Sequence, residues 1–310
     1  MIKAVIDVGS NSVLLLVARN TANGWVVLTE ETAVTALGEG TKTTGLLCEA
    51  SMAQTLDALG RFFHIARELG AEHIVAGVTM AARIAKNTPD FLERARLQNT
   101  PVVVVSGEEE AQLGFLAVAE DPLFSECRRV SIIDVGGHST ELATADRLDG
   151  SWKVGFRNSF AVGTLGLRET LLKGESPSSL DQLRASAAID DLIGLIYRPN
   201  EAGIAVALGA TGTNLVTIRD RILEWDPTVV HGKVLSYEEV SRASGWMFGL
   251  TDAERAAIPG IEPGRERTIH IGALLLERFM NALKVDQCSV SVRGWRYAVL
   301  EHGLAGDIHE

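Results

Sequence analysis

The chain opens with two apolar runs, 2–8 and 13–18, joined by the polar tetrapeptide Gly9-Ser10-Asn11-Ser12. Asn23-Gly24 then gives a strong hairpin signal ahead of a third run at 25–28. Three antiparallel strands are therefore predicted first. The period changes over 51–69, where Met52, Leu56, Leu59, Phe63 and Ala66 recur on one helical face and Gly70 supplies the stop. A strand at 73–78 follows. The next helix starts at Thr88-Pro89-Asp90, where proline is already shaped for a first turn. A β-branched strand at 102–105 leads into a helix opened by Ser106, with Glu109 at capping-box spacing.

After Asp121-Pro122 the pattern restarts. Strands are predicted at 130–135 and 141–145 around a glycine-rich turn, and helices at 164–172 and 178–196. A buried strand at 204–208 runs into Gly209-Ala210-Thr211-Gly212. Ser236 with Glu239 and Thr251 with Glu254 give two more capping boxes. A loop at 259–264, an apolar helix at 267–283, a strand at 289–292 and a terminal helix from Trp295 complete the pattern. The Trp246-Met247-Phe248 cluster reads as core.

The most informative feature is a duplication. Ile6-Asp7-Val8-Gly9-Ser10-Asn11-Ser12 recurs as Ile133-Asp134-Val135-Gly136-Gly137-His138-Ser139, with five of seven positions identical. A spacing of 127 residues, from 7 to 134, means duplicated domains and not a solenoid. The division drawn is 1–121 and 122–296, with a terminal helix over 297–310 returning to the first domain. Glycine lets such a turn bring its backbone close to a ligand. Successive N–H groups and hydroxyls then form a concavity for phosphate oxygens. An aspartate at the strand end can hold a hard cation. A single copy reads as readily as a plain tight hairpin; two copies with Asp in register favour the ligand site.

Composition narrows the partners. The formal net charge is −11, with 22% charged and 46% hydrophobic residues. A polyanion-binding surface needs a Lys/Arg stripe, which is not found here, so extended nucleic-acid binding is disfavoured. Anion binding must be local. Cys48, Cys127 and Cys288 are far apart and form no metal-type spacing, so they read as buried or semi-buried free thiols of a reducing compartment. The start enters a strand pattern at once, and the apolar run at 13–18 is far short of the ~20 residues that span a bilayer. Cytoplasmic placement without membrane association is the expectation.

Five segments in order resemble the exopolyphosphatase/guanosine-pentaphosphate phosphatase family. They are Asp7 to Ser12 (DxGSNS), Thr79 to Asn87 (TxxxRxAxN), Ser106 to Ala111 (SGxEEA), Asp134 to Glu141 (DxGGGSTE), and His231-Gly232 with Leu235-Ser236 (HGxxLS). The resemblance implies an α/β fold of two ribonuclease-H-like (actin-like ATPase) domains with a ligand cleft between them, in the short two-domain type. It implies Glu110 as general base and Arg83 as a catalytic arginine. It assigns Gly9, Ser10, Asn11, Ser12, Gly136, Gly137, His138, Ser139, Thr140, Gly209, Thr211 and Arg296 to phosphate, and Asp7, Asp134 and Glu141 to Mg²⁺ or Mn²⁺. The implied activity is release of orthophosphate from inorganic polyphosphate or guanosine pentaphosphate; guanosine tetraphosphate is a further partner, and the implied assembly is a homodimer. Read without the resemblance, Glu108, Glu109 and Glu110 equally favour a helix N-terminus, and Arg83 equally reads as a surface arginine on a helix.

Departures from the pattern bear on substrate choice. Leu14 stands where many members carry a basic or polar residue. His138 replaces a glycine, Ala210 stands in a usual GGT, Arg267 replaces a common aspartate, and Ser291 to Arg296 lacks the family's acid. His138 has two readings: a residue the turn tolerates, or a phosphate contact strengthened by protonation. Hydrolysis with altered substrate preference is the leading expectation. A sensor that binds phosphate chains with little or no turnover, and a small-metabolite kinase of the same fold, are the alternatives.

Overall fold

The computed structural model describes residues 1–197 and 202–304. The chain divides into two compact units, Met1–Ala117 with the chain from Trp295 onward, and Val118–Gly294. The first passage falls near the end of helix Gly107–Ala119, and the second just before helix Trp295–His302. The predicted terminal helix thus ends at His302, and residues 305–310 of that expectation lie outside the described residues.

In the first unit β1 (Ile2–Val8), β2 (Ser12–Thr21), β3 (Gly24–Val34), β4 (His73–Val78) and β5 (Val103–Val104) form one sheet in the order β3-β2-β1-β4-β5. β1 has an unbroken apolar centre, Ala4-Val5-Ile6, because both of its faces are covered. Ala4, Ile6 and Val8 cluster with Leu59, Phe62 and Phe63 of helix Glu49–Glu68. Val5 clusters on the opposite face with Leu113, Trp295 and Val299. β1, β4 and β5 run parallel, so Val8, Val78 and Val104 end at one edge of the sheet.

The second unit repeats this plan. β6 (Arg129–Val135), β7 (Thr140–Leu148), β8 (Ser151–Phe160), β9 (Ile204–Leu208), β10 (Val234–Ser236) and β11 (Gln287–Val290) form a sheet in the order β10-β11-β9-β6-β7-β8. β6, β9 and β11 are its parallel strands. Helices Ser179–Ile196 and Ile269–Leu283 bury Ile189, Ile193, Leu275 and Phe279 together with Ile133, Leu142 and Phe160 of the sheet.

The duplication holds at the level of register. Asp7 pairs Leu14 and Leu14 pairs Thr32; Asp134 pairs Glu141 and Glu141 pairs Ser159. Each partner is shifted by the same 127 positions. Even the bulge repeats, between Val17/Ala18 in one sheet and Thr144/Ala145 in the other. A bulge bends its strand and sharpens local twist, so the two sheets curve alike past the turn.

Several elements differ from the pattern reading. β8 was not foreseen, β5 spans two residues, and the last strand lies earlier, at Gln287–Val290. Gly209 opens a full helix, Gly209–Asp220, and Met80–Ile84 forms a short one. The Trp246 cluster is split: Met247 and Phe248 are buried, but Trp246 is about half exposed because it lies on the outer face of helix Tyr237–Phe248. Cys48 is exposed at the start of helix Glu49–Glu68, while Cys288 is buried. All three expected capping boxes place their hydroxyl on the N3 amide, at Glu109, Glu239 and Glu254. Among the described residues no helix is long and apolar enough to cross a membrane.

One buried cation organises the helical side of the second unit. Arg255 is fully buried, and its guanidinium donates to the carbonyls of Glu266, Met247, Leu250 and Glu175 and to Asp252. Those bonds use all five of its N–H donors. Arg255→Ala is expected to destabilise the protein by about 3–5 kcal/mol, because it leaves Asp252 and four carbonyls short of partners; urea unfolding measures this. Nearby, His270 is completely buried, edge-on to Phe248. Burial, aided by Arg255 and Arg168, pushes its pKa down to about 2. The folded protein thus keeps His270 neutral while the unfolded chain protonates it below about 6.5. Its contribution is present above pH 6.5 and is lost as pH falls from there toward 2. Replacing His270 with Gln should flatten the acid side of the stability–pH curve, by up to about 1.4 kcal/mol per pH unit; an unchanged slope would contradict this.

Candidate active site

Both glycine turns sit at the carboxyl edges of their parallel strands, where open α/β sheets bind ligands. Both close with the same bond: the Gly9 amide donates to the Ser12 carbonyl at 2.9 Å, and the Gly136 amide to the Ser139 carbonyl at 2.9 Å. A side chain on either glycine would run into that carbonyl, at 3.1 Å for Gly9 and 2.9 Å for Gly136.

The segment after each turn then takes its carbonyls. The Ser10 carbonyl accepts from the Gly38 amide at 2.8 Å, and the Asn11 carbonyl from Thr35 and Ala36 at 3.1 and 2.9 Å. In the second unit the Gly136 carbonyl accepts from Thr164 at 3.0 Å, and the Gly137 carbonyl from Leu165 at 2.8 Å. A trans peptide points its carbonyl and its N–H in opposite directions, and no peptide bond here is cis among the described residues. The amides of residues 11 and 12, and of 137 and 138, are therefore directed away from the segments that hold the carbonyls. This is the geometry of an anion-binding nest.

In the first unit Arg83 and Glu110 come together. Arg83 lies in the short helix after β4, and Glu110 in the first turn of the helix after β5. The Arg83 Nη1 donates to Glu110 Oε2 and to the Val105 carbonyl, each at 2.8 Å. Gly107 lies alongside the guanidinium, where a Cβ would sit at an ordinary contact distance of 3.7 Å from Nη2. Arg83 is 17% exposed, so it is not the surface arginine that a helix alone would suggest. Burial pushes the Glu110 carboxyl above the ordinary carboxylate range, against the pull of the Arg83 charge and hydrogen bond.

In the second unit Asp134 and Glu141 are directly opposite on neighbouring antiparallel strands, so both project from the same face. Glu141 is buried, and its Oε1 accepts from the Ser159 hydroxyl at 2.6 Å. Asp134 Oδ1 lies against Gly209, where a Cβ would come within 2.8 Å; Gly209 has φ +77° and begins a helix of 12 residues. A carboxylate is stabilised at such a helix start. In the first unit the corresponding row is Asp7, Leu14 and Thr32, with a single acid.

The fit to a hard divalent cation follows from this donor set. Two carboxylates set opposite each other repel unless a cation lies between them. Among the described residues no group of three His, Cys, Asp or Glu is placed to hold a metal. One or two carboxylates completed by phosphate oxygens and water is the usual Mg²⁺ arrangement, and Asp134 with Glu141 matches it.

Four assigned side chains have other places. His138 is completely buried, with Nε2 3.8 Å from Glu169 Oε1, so its ring serves the interior and only its amide belongs to the turn. The Thr140 hydroxyl donates to the Val162 carbonyl at 2.8 Å. Thr211 packs against Gly272, whose Cβ would meet Thr211 Oγ1 at 2.5 Å. Arg296 is buried, donating to the Leu15 carbonyl at 2.8 Å with Glu30 at 3.5 Å, so its charge is used inside the first unit. The Arg267 side chain is exposed, and its carbonyl accepts from Arg168 at 2.6 Å. Two residues not singled out from the sequence gain roles, Ser159 and Gly163.

The Ppx/GppA phosphatase family pattern matches residues 16–305. The chain belongs to this family. It is 27% identical over 305 residues to exopolyphosphatase 2 of Mycobacterium tuberculosis, covering 93% of this chain and 94% of that protein. It is 28% identical over 312 residues to exopolyphosphatase 1 of Mycobacterium bovis, covering 97% and 86%. The solved Ppx/GppA family member of Aquifex aeolicus superimposes with a TM-score of 0.77 at 30% identity, over 97% of this chain and 96% of that one. The fold is therefore the two-domain α/β, actin-like ATPase architecture of Ppx/GppA proteins.

Gly163 tests the turn geometry. A Cβ on Gly163 would lie 2.5 Å from the backbone of Gly137 and His138. Backbone cannot step aside as a flexible side chain can, so Gly163→Ala should shift the second turn and cost roughly 1–3 kcal/mol. Thermal unfolding and phosphate binding measured together should both suffer; full retention of both would refute the anchoring.

Proposed function

We propose that this protein is a phosphohydrolase that releases orthophosphate from the end of inorganic polyphosphate. The observation that carries the reading is the largely buried Arg83–Glu110 pair at the carboxyl edge of the first sheet. A carboxylate whose proton affinity is raised by burial suits a general base working near neutral pH. Its Oε2 takes the Arg83 hydrogen bond, and Oε1 orients the attacking water. Water attacks the terminal phosphorus, Glu110 takes the proton, and the P–O anhydride bond breaks to leave a chain shorter by one phosphate. Arg83 offers a planar guanidinium to the terminal oxygens, and the amides of residues 11 and 12 bind phosphate oxygens. Asp134 and Glu141 would hold Mg²⁺ or Mn²⁺, which when bound neutralises phosphate charge. The names of the mycobacterial relatives favour polyphosphate; guanosine pentaphosphate is the second substrate to test.

Purified protein incubated with polyphosphate, guanosine pentaphosphate or ATP should release phosphate, fastest from polyphosphate. Glu110→Gln should lower kcat by roughly 10²–10⁴-fold with little change in binding. Activity should rise with pH through a value above the usual carboxylate range, as Glu110 deprotonates. Replacing Arg83 with Met removes the influence that lowers the Glu110 pKa, so that rise should move to higher pH. Wild-type turnover in the Glu110 variant would end the reading; binding without turnover in the wild type would favour a sensor.

A further inference from the structure

We propose that Ser159 is a positioning residue that fixes the Glu141 carboxylate for a divalent cation; the proposal rests on giving Asp134 and Glu141 to that cation. Ser159 Oγ donates to Glu141 Oε1 at 2.6 Å, a short charge-assisted bond. The two residues are in register on β8 and β7, and Glu141 is in register with Asp134 on β6. The three side chains therefore form one row on one sheet face.

Glutamate has three rotatable bonds, and at 8% exposure Glu141 has little water to hold it. Its head group is fixed by whatever donates to it. Ser159 is held in turn by its neighbour: Phe160 is buried, pairs with Thr140, and packs edge-on against Phe279 with ring centroids 5.3 Å apart. A serine anchored in this way sets one carboxylate oxygen and so aims the other.

The first unit supplies an internal comparison. There the row reads Thr32, Leu14 and Asp7, so a hydroxyl residue occupies the equivalent of Ser159 but faces no carboxylate across the strand. Threonine therefore fits this place in the sheet, which makes Ser159→Thr the conservative variant and Ser159→Ala the disruptive one. Groups that orient a metal-binding carboxylate typically contribute about 10–100-fold to metal affinity or activity.

The test is a titration with Mn²⁺ alone, followed by electron paramagnetic resonance, on wild type and on the Ser159→Ala, Ser159→Thr and Glu141→Gln variants. Ser159→Ala should bind Mn²⁺ about 10–100-fold more weakly and need correspondingly more Mg²⁺ for half-maximal turnover. Ser159→Thr should recover most of the affinity. Wild-type Mn²⁺ binding in Ser159→Ala, beside a loss in Glu141→Gln, overturns the positioning role alone. Equal weakening in the Ala and Thr variants also overturns it, because packing and not the hydroxyl would then be responsible. Unaltered binding in Glu141→Gln overturns the cation assignment itself and Ser159's role with it.

Discussion

The planarity of the peptide bond is the constraint on which both turns depend. A glycine turn by itself is flexible and presents its amides in many directions. Here Gly38, Thr35 and Ala36 take the carbonyls of one turn, and Thr164 and Leu165 take those of the other. Each bond made by a carbonyl fixes the opposite direction of the adjoining N–H. The directions of these donors are thus fixed by the fold itself, the preorganisation that anion binding would need. The two units reach this end through different partners, a loop in the first and a helix start in the second. What is shared is the direction in which backbone hydrogen bonds are drawn.

On that common backbone the side chains divide the work. The row that reads Asp134, Glu141 and Ser159 in the second unit reads Asp7, Leu14 and Thr32 in the first. One row gathers negative charge, and the other dilutes it. The helices that follow the paired strands diverge as well. Gly77 pairs with Asp7 and Leu208 pairs with Asp134. Arg83 stands six residues beyond Gly77, and Asn214 six residues beyond Leu208. Arg83 pairs with Glu110, whereas Asn214 holds the Ala210 carbonyl and the Glu262 amide. An ion-paired arginine in one copy is matched by an amide that ties down a loop in the other.

Much of this was legible in the sequence because it is local. The apolar runs of β1 and β6, the turn peptides between them and their partners, and the capping serines and threonines all act over a few residues. The duplication carried the two-domain reading, since five matching residues imply a common turn. Side-chain destinations are not local, because they depend on packing against distant segments. His138 lies in a turn, but the turn points its ring inward toward Glu169. Arg296 follows a recognisable stretch, but its helix packs on β2 and delivers the guanidinium to the Leu15 carbonyl. β8 alternates over its first six residues, but the alternation is lost over the half that carries Ser159. The duplication offered a route to Ser159 after all: Thr32 closes the equivalent row 127 positions earlier, and the repeat was not carried past the turn.

The Arg83–Glu110 pair shows why placement matters more than residue type. An exposed ion pair is worth little, and a deeply buried one costs desolvation that its attraction repays only with good geometry. This pair lies between these limits. Burial raises the proton affinity of Glu110, while Arg83 keeps it from rising without check. A buried carboxylate far from any cation would stay protonated, and one in open water would be a weaker base. The intermediate state depends on the Val105 carbonyl, which accepts from Arg83 Nη1 and holds the guanidinium beside Glu110. The proton affinity of the glutamate is thus set by its burial and by an arginine that an uncharged backbone oxygen holds in place.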